Sequence, residues 1–346
     1  MLQYTPILQA IAYGVHAPNP HNTQAWKFEV TSDTEALFYL DERRLLPATD
    51  PPARQIHIGA GCAIETLAIG MSRHGYTTEV ELLPQGAHGF EEIGRKPVAR
   101  IVLRSNATTR PDNLADGISR RQTNRRPYAG PLVTDHEAEH IRVLAPADNM
   151  EVLVLSQPER MRPLLDVFYR AFEIEVKTPH VYDETRDWFR FSEHQRRDRR
   201  DGLSIPQLGF DGLKARLMEW SLFNGSPTLW FSTLATNSTL KDTRHGIESA
   251  RGLVLLKTGA NDQSTWLEAG RAFARVHLGL TQLGLTCHPY SQVLQEYPEM
   301  AALQTEFNRL LGVRAPEKIQ MAVRIGRAER AYVAPRRDPR NFLVGG

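Results

Sequence analysis

The sequence predicts an α+β fold made of two related halves on one chain, and three observations predict it. Helical and strand periodicities alternate along most of the length. Two long helical stretches overlay at a constant offset of 209 residues, Ala60 on Ala269. The chain of 346 residues, 41% hydrophobic and 24% charged, is long enough for about two units and apolar enough to bury a sizeable core.

The overlay carries the most weight. Ala60, Gly61, Ala63, Gly70, Gly75 and Thr77 fall on Ala269, Gly270, Ala272, Gly279, Gly284 and Thr286, and Ile64, Leu67, Ile69 and Met71 fall on Phe273, Val276, Leu278 and Leu280. Small and apolar residues recur on any packed helix. Glycine costs roughly 1 kcal/mol inside one, so three in register need a reason such as close backbone approach. The repeat is read as an internal duplication that places a pseudo-dimer in one chain.

In chain order, Thr5-Pro6 opens a helix carrying Ile7, Leu8, Ile11, Ala12 and Val15. Trp26, Phe28 and Val30 alternate as a strand, and Leu37–Leu40 is a second. A long helix runs from Arg54 to His74 and stops at Gly75. Strands follow at Thr78–Leu83 and Val98–Leu103, and the boundary between halves is set at residue 106, giving 1–106 and 107–346. The second half is expected to hold helices near Thr134–Val143 and at Glu159–Val176, Ser264–Leu283 and Glu299–Leu311, with strands at Met150–Leu155, Gly252–Thr258 and Ile319–Ile325. In residues 177–250 aromatic and charged residues interleave, and two or three helices forming a lid are expected there. The tail reads as basic and irregular.

Two polar stretches are candidates for chemistry. His16–Phe28, HAPNPHNTQAWKF, places asparagines, histidines and a glutamine between stiffening prolines. It is either a capped connection into a strand or a rigid loop presenting amides to a heterocycle edge. RRQTNRRPY, 120–128, is either a solvated basic loop or a phosphate site of forked guanidinium groups with a hydroxyl.

Together these stretches resemble the flavin-dependent nitroreductase superfamily. HAPNPHNTQAWKF resembles its Asn-rich loop, with Ala25 where proline is usual, and RRQTNRRPY its Arg-rich opening. TWLEAGRAFARVHLGLTQLGLTCHPYSQ, 265–292, resembles its central helix and flavin-facing turn, and MAVRIGRAE, 321–329, its last strand. The order and spacing are most similar to the fused, single-chain Acg-like branch, over about residues 8–343. The resemblance implies a nitroreductase-like fold and one FMN per chain, held between the halves because the family builds its site from two subunits. The Asn loop occurs only in the first half and the other three motifs only in the second, so the mirror site is expected to have decayed.

On that resemblance Arg121, Thr123 and Arg125 are expected at the flavin phosphate, with Arg324 or Arg327 joining from the last strand. Gln122 is expected along the ribityl chain or pyrimidine edge, and Asn19, His21 and Asn22 at the ring. Cys287, His288 and Pro289 are expected near the reactive N5, with Cys287 packed rather than nucleophilic. No side chain is required as a catalytic acid or base, because the chemistry lies at flavin N5. The expected activity passes electrons from a reduced donor to a nitroaromatic or quinone. The alternative is a flavin-sequestering protein with little turnover, if the 177–250 segment covers the ring.

Other classes are excluded or unsupported. A net charge of +2 gives little reason for a nucleic-acid partner, and RRDRR, 196–200, reads as an exposed helix face. The His16/His21 and His136/His140 pairs lack companion ligands for a metal. No P-loop, GxGxxG fingerprint or nucleophile elbow is present. Two separated cysteines and no long apolar run suggest a cytoplasmic protein without a membrane partner, monomeric or weakly dimeric.

Overall fold

A computed structural model describes residues 4–145, 150–224 and 233–344. Helix α1 (Pro6–Gly14) begins with proline in its first turn and buries Ile7, Ala10 and Ile11. It leads through a 3-10 turn at Pro20–Asn22 into β1 (Trp26–Ser32) and β2 (Glu35–Leu40). Then come α2 (Arg54–Ser72), β3 (Tyr76–Leu82) and β4 (Ala99–Ser105). The four strands form an antiparallel sheet in the order β1-β2-β4-β3.

The second sheet repeats this plan. Helix α3 (Asp135–Arg142), capped by the reciprocal Thr134–Glu137 pair, precedes β5 (Met150–Leu155). Strand β6 (Gly252–Thr258), a long helix, β7 (Thr286–Pro289) and β8 (Lys318–Gly326) follow, in the order β5-β6-β8-β7 and again antiparallel. Between β5 and β6 lie α4 (Pro158–Lys177), α5 (Pro179–Asp187), α6 (Glu193–Arg199), α7 (Gly212–Asn224) and α8 (Thr233–Glu248). The long helix of this half is α9 (Gln263–Gln282), and α10 (Ala301–Leu311) stands between β7 and β8.

Helices α2 and α9 pack against each other between the two sheets, and their repeated glycines show why. A Cβ on Gly61 would overlap the Leu267 carbonyl, and one on Gly270 would overlap the Ile58 carbonyl. Since Leu267 and Gly270 are the offset-209 counterparts of Ile58 and Gly61, the contact is reciprocal, as at a twofold interface. Gly70 and Gly279 repeat the logic, admitting the Tyr13 ring and the Leu144 side chain respectively. Gly75 and Gly284 end the helices at φ +74° and +69°.

The α+β expectation and the strand positions hold to within a few residues. One feature differs: the 177–250 segment has four helices among the described residues rather than two or three, and 225–232 of that expected lid lie outside them. The β pattern after the second long helix is the short strand β7, where Cys287 and Pro289 pair with β8. The tail is irregular, as expected, but anchored. Val344 N–H donates to the Phe28 carbonyl at 2.9 Å, and Phe342 is buried beside Trp26, so the C-terminus closes on the first sheet. Among the described residues no helix is long and apolar enough to cross a membrane.

The crossing makes a testable demand. Gly61→Ala and Gly270→Ala should each cost about 2–3 kcal/mol through backbone displacement. Gly259→Ala, with open space around it, should stay within about 0.5 kcal/mol. Equal denaturation midpoints for all three would show that the close approach is dispensable.

Candidate functional site

At the seam between the sheets lies a cavity of about 450 Å³, joined to a smaller one of about 90 Å³ through shared walls at Asn19, His21, Thr123 and Arg125. Three structures converge on it: the loop after α1, the 119–128 segment, and the turn at β7. The inserted helices roof it with Phe189, Leu203, Ile205 and Phe210.

The loop after α1 holds an unusual backbone. His21, Asn22 and Gln24 have φ values of 46°, 53° and 51°, where only asparagine is at ease. Each such residue stores on the order of 1–3 kcal/mol unless its surroundings fix it. Asn19 accepts the Gln24 N–H at 2.8 Å and donates to the Ala17 carbonyl. Asn22 donates to the carbonyls of Gly202 and Pro335, and Gln24 donates to that of Arg200. Gly59 on α2 leaves room for the bend, since a Cβ there would sit 3.1 Å from Pro20 Cδ. The amides of Asn22 and Gln24 are therefore spent on bracing. The loop's presenting groups are Asn19 and His21, which line both cavities, while Asn22 lines only the smaller.

The 119–128 segment is anchored by Asn124, which carries no distinguishing signal among its polar neighbours in sequence. Its N–H donates to the Cys287 carbonyl at 2.9 Å, its amide to the Glu329 carbonyl, and its own carbonyl accepts from Tyr128 Oη. In this extended run alternate residues face one side, so fixing Asn124 turns Arg121, Thr123 and Arg125 toward the cavities. Gln122 accepts from the Ala331 N–H, which ties it to the tail, and it lines the smaller cavity.

Arg121 donates to the His16 carbonyl through Nε and Nη2, bridging the two halves. His277 Nε2 donates to the Gln122 carbonyl, leaving Nδ1 to face Arg121. A third guanidinium arrives from the tail: Arg336 donates to Asn22 Oδ1 at 2.6 Å, and its Nε is buried without a partner. Arg125 has one weak contact, the Gln207 carbonyl at 3.3 Å. Among the described residues none of the three has a carboxylate partner. Burial depresses all three, Arg336 to about 9 and Arg125 to about 10, so they remain charged at neutral pH. A cluster of enclosed, uncompensated cations is unfavourable until an anion joins it, and forked N–H groups with the Thr123 hydroxyl suit a phosphate or carboxylate.

The remaining expected residues divide. His288 and Pro289 line the large cavity, and burial holds His288 neutral, well below the usual range. Cys287 lines neither cavity and offers Asn124 its carbonyl, while burial pushes its thiol up to about 12, so it is no thiolate. Arg324 is fully buried behind the site. It lies over the Tyr128 ring at 3.8 Å and donates to the carbonyls of Arg125 and Arg126, which fixes the segment rather than a ligand. Arg327 is paired with Glu137 and does not reach the cavities.

No family model matches the chain. It is 27% identical over 337 residues to "Putative NAD(P)H nitroreductase acg" of Mycobacterium tuberculosis (strain ATCC 25618 / H37Rv), covering 96% of this chain and 92% of that protein. Among solved structures it is similar to the FMN and NADPH-dependent nitroreductase NfnB from Sphigopyxis sp. strain HMH, at 14% identity and TM-score 0.41, covering 68% of this chain and 99% of that one. A nitroreductase with bound FMN from Bacteroides fragilis NCTC 9343 is similar at 15% identity and TM-score 0.34, covering 64% and 92%.

The neutral histidines predict an acid response. His16, His21, His57, His88, His277 and His288 all titrate below 6.5, chiefly from burial. At pH 5 the unfolded chain protonates them, while the folded chain leaves neutral at least His21 and His57, lowered to about 4, so stability is lost as pH falls below 6.5. Asp50, pushed up to about 6, and Glu175, up to about 7, act oppositely and are outnumbered. The melting temperature should therefore drop between about pH 7 and 5, at about 1.4 kcal/mol per pH unit per net proton. His21→Asn, which tolerates the positive φ, should retain more stability at the acid end. An unchanged melting temperature would contradict the assignment.

Proposed function

We propose that this member of the nitroreductase superfamily, of the single-chain Acg-like kind, is an FMN-dependent oxidoreductase with one flavin between its two halves. The observation that carries the reading is the cluster of Arg121, Arg125 and Arg336, enclosed at a cavity and lacking any carboxylate partner among the described residues. A flavin 5′-phosphate supplies the missing charge, with Thr123 as a hydroxyl partner. His21, His288 and Pro289 would border the ring. When bound, the flavin supplies electron transfer at N5 between a reduced donor and a small acceptor such as a nitroaromatic or quinone.

The chain's own residues do the rest. Neutral His21 and His288 can each donate or accept one hydrogen bond without adding charge. Arg324 and Asn124 hold the cationic run in place, and the inserted helices exclude water. We further propose that residues 1–106 and 107–346 descend from one duplicated unit and form a pseudo-dimer. The identical strand orders and the reciprocal Gly61–Gly270 crossing support this. The mirror of the cationic cluster has no counterpart arginines before residue 16.

A second reading, flavin sequestration, is favoured by the roof. Glu184 accepts from Ala48 N–H, Thr49 N–H and Thr49 Oγ1, and Asp201 pairs with Arg44 at 2.8 Å, and these contacts to the first half support reading the described inserted helices as a lid. Anaerobic mixing with NADH or NADPH separates the two. Prompt bleaching of the flavin spectrum is expected for the oxidoreductase, and persistent colour that dithionite removes would favour sequestration.

Arg125→Ala and Arg336→Ala should each weaken FMN binding by about tenfold to a hundredfold, the worth of a charge-assisted hydrogen bond, with unchanged circular dichroism. Arg327→Ala should leave flavin content at the wild-type level. Full occupancy in the first two variants would remove the phosphate assignment.

A further inference from the structure

The large cavity has a second set of polar groups besides the cations. Glu175, in the last turn of α4, is 3% exposed, and Oε2 of its carboxyl is buried with no hydrogen-bond partner. Around the same cavity, Oε1 of Gln292, Oε1 of Gln295, Oγ1 of Thr185 and Nε2 of Gln55 are also buried and unpartnered. Thr185 and Gln295 are themselves 8% and 5% exposed. Unmet polar atoms of this kind are costly individually, so five sharing one cavity point to a ligand.

The wall's chemistry can be read from its orientation. Oε1 of Gln295 and Oε1 of Gln292 are left without a partner, and both side chains lie close enough to the Glu175 carboxyl to favour its charged form. The unmet atoms are therefore mostly acceptors, and Asp242 from α8 adds another carboxylate to the lining. Such a wall repels an anion and takes N–H groups. Phe172, Phe189, Phe210 and Phe273 supply an apolar body to the same cavity, which suits a flat ring. Arg125 in the same lining disfavours a cationic ligand. Burial also raises the Glu175 carboxyl, to about 7, so part of it is a donor at neutral pH and can meet a carbonyl beside the N–H.

We infer that the wall formed by Glu175, Gln292, Gln295, Thr185 and Gln55 recognises the carboxamide edge of a neutral aromatic small molecule. This rests on reading the chamber as the place where the oxidoreductase takes its small-molecule partner, and it narrows that partner to a ring bearing an N–H group beside a carbonyl.

Benzamide, acetophenone and benzoate serve as probes, because they share a shape and differ in whether they carry N–H or a charge. Titration calorimetry on the purified protein should show benzamide binding at least about tenfold more tightly than either of the others. Glu175→Leu should lower benzamide affinity by about tenfold or more and acetophenone affinity by clearly less, because only benzamide also loses an acceptor for its N–H. Gln295→Leu, which leaves the carboxyl in place, should lower it in the same selective way. Failure of benzamide to bind, equal binding of benzamide and acetophenone, or unchanged benzamide affinity in both folded variants would overturn the inference. Flavin content is read separately from the absorption spectrum. Protein without flavin that still selects benzamide keeps the wall and removes the oxidoreductase reading, and flavin-loaded protein that does not select benzamide does the reverse.

Discussion

The reciprocal crossing of α2 and α9 at Gly61 and Gly270 is the constraint on which the remaining architecture depends. Each glycine faces a main-chain carbonyl of the other helix, and a methyl group at either would overlap it. Cys62 Sγ donates to the Gly270 carbonyl at 3.1 Å across the same contact. So close a crossing carries the N-terminus of each helix into the opposite half. Arg54 reaches the Gln320 and Leu294 carbonyls of the second half, and its counterpart Gln263 exchanges hydrogen bonds with the backbone of His88 in the first. The halves are thus clasped at both ends, and the chamber lies along their seam.

A chamber at a seam can gather what neither half holds alone. The braced loop comes from one side, the cationic run from the other, and Arg336 from a tail that has crossed back. The price is visible in three strained backbone residues and a set of enclosed cations. Both costs are met by the same contacts. Asn22 fixes the loop and accepts from Arg336, while the carbonyl of His16 receives Arg121. The strain and the charge are therefore linked, and the loop cannot relax without releasing a guanidinium.

Features that depend on local pattern were legible from the sequence. The glycine register pointed to a close helix approach because no other residue fits one, and the resemblance of RRQTNRRPY to a family segment pointed to Arg121, Thr123 and Arg125. Features set by distant chain were not. Arg336 lies in a tail whose composition looks like solvent-exposed charge, and nothing near it in sequence indicates Asn22. Asn22 and Gln24 looked like groups for a ligand because amides are equally suited to bracing, and only the positions of Arg200, Gly202 and Pro335 decide between the two. Glu175 sits in an ordinary amphipathic helix, and its burial depends on how α4 packs. Arg327 was chosen for being basic near the last strand, but the Glu137 carboxylate of α3 claims it.

The two joined cavities differ in charge, and this gives the chamber a direction. Arg121, Arg125 and Arg336 line the smaller one, with His16 and His21 beside them, and Glu175 and Asp242 line the larger one alone, where Arg125 also reaches. In an enclosed space of low polarity such a separation orients any ligand that carries an anionic group, before specific contacts form. On the proposed reading, the phosphate of a bound flavin would be held by the arginines of the smaller cavity, and its neutral ring would lie in the larger one. A second molecule then meets the acceptor-rich wall, where an anion is turned away and an N–H group is received. If the inserted helices, fastened at Glu184 and Asp201, limit the water that can screen these charges, they would act on selectivity through the field they enclose as well as through the space they fill.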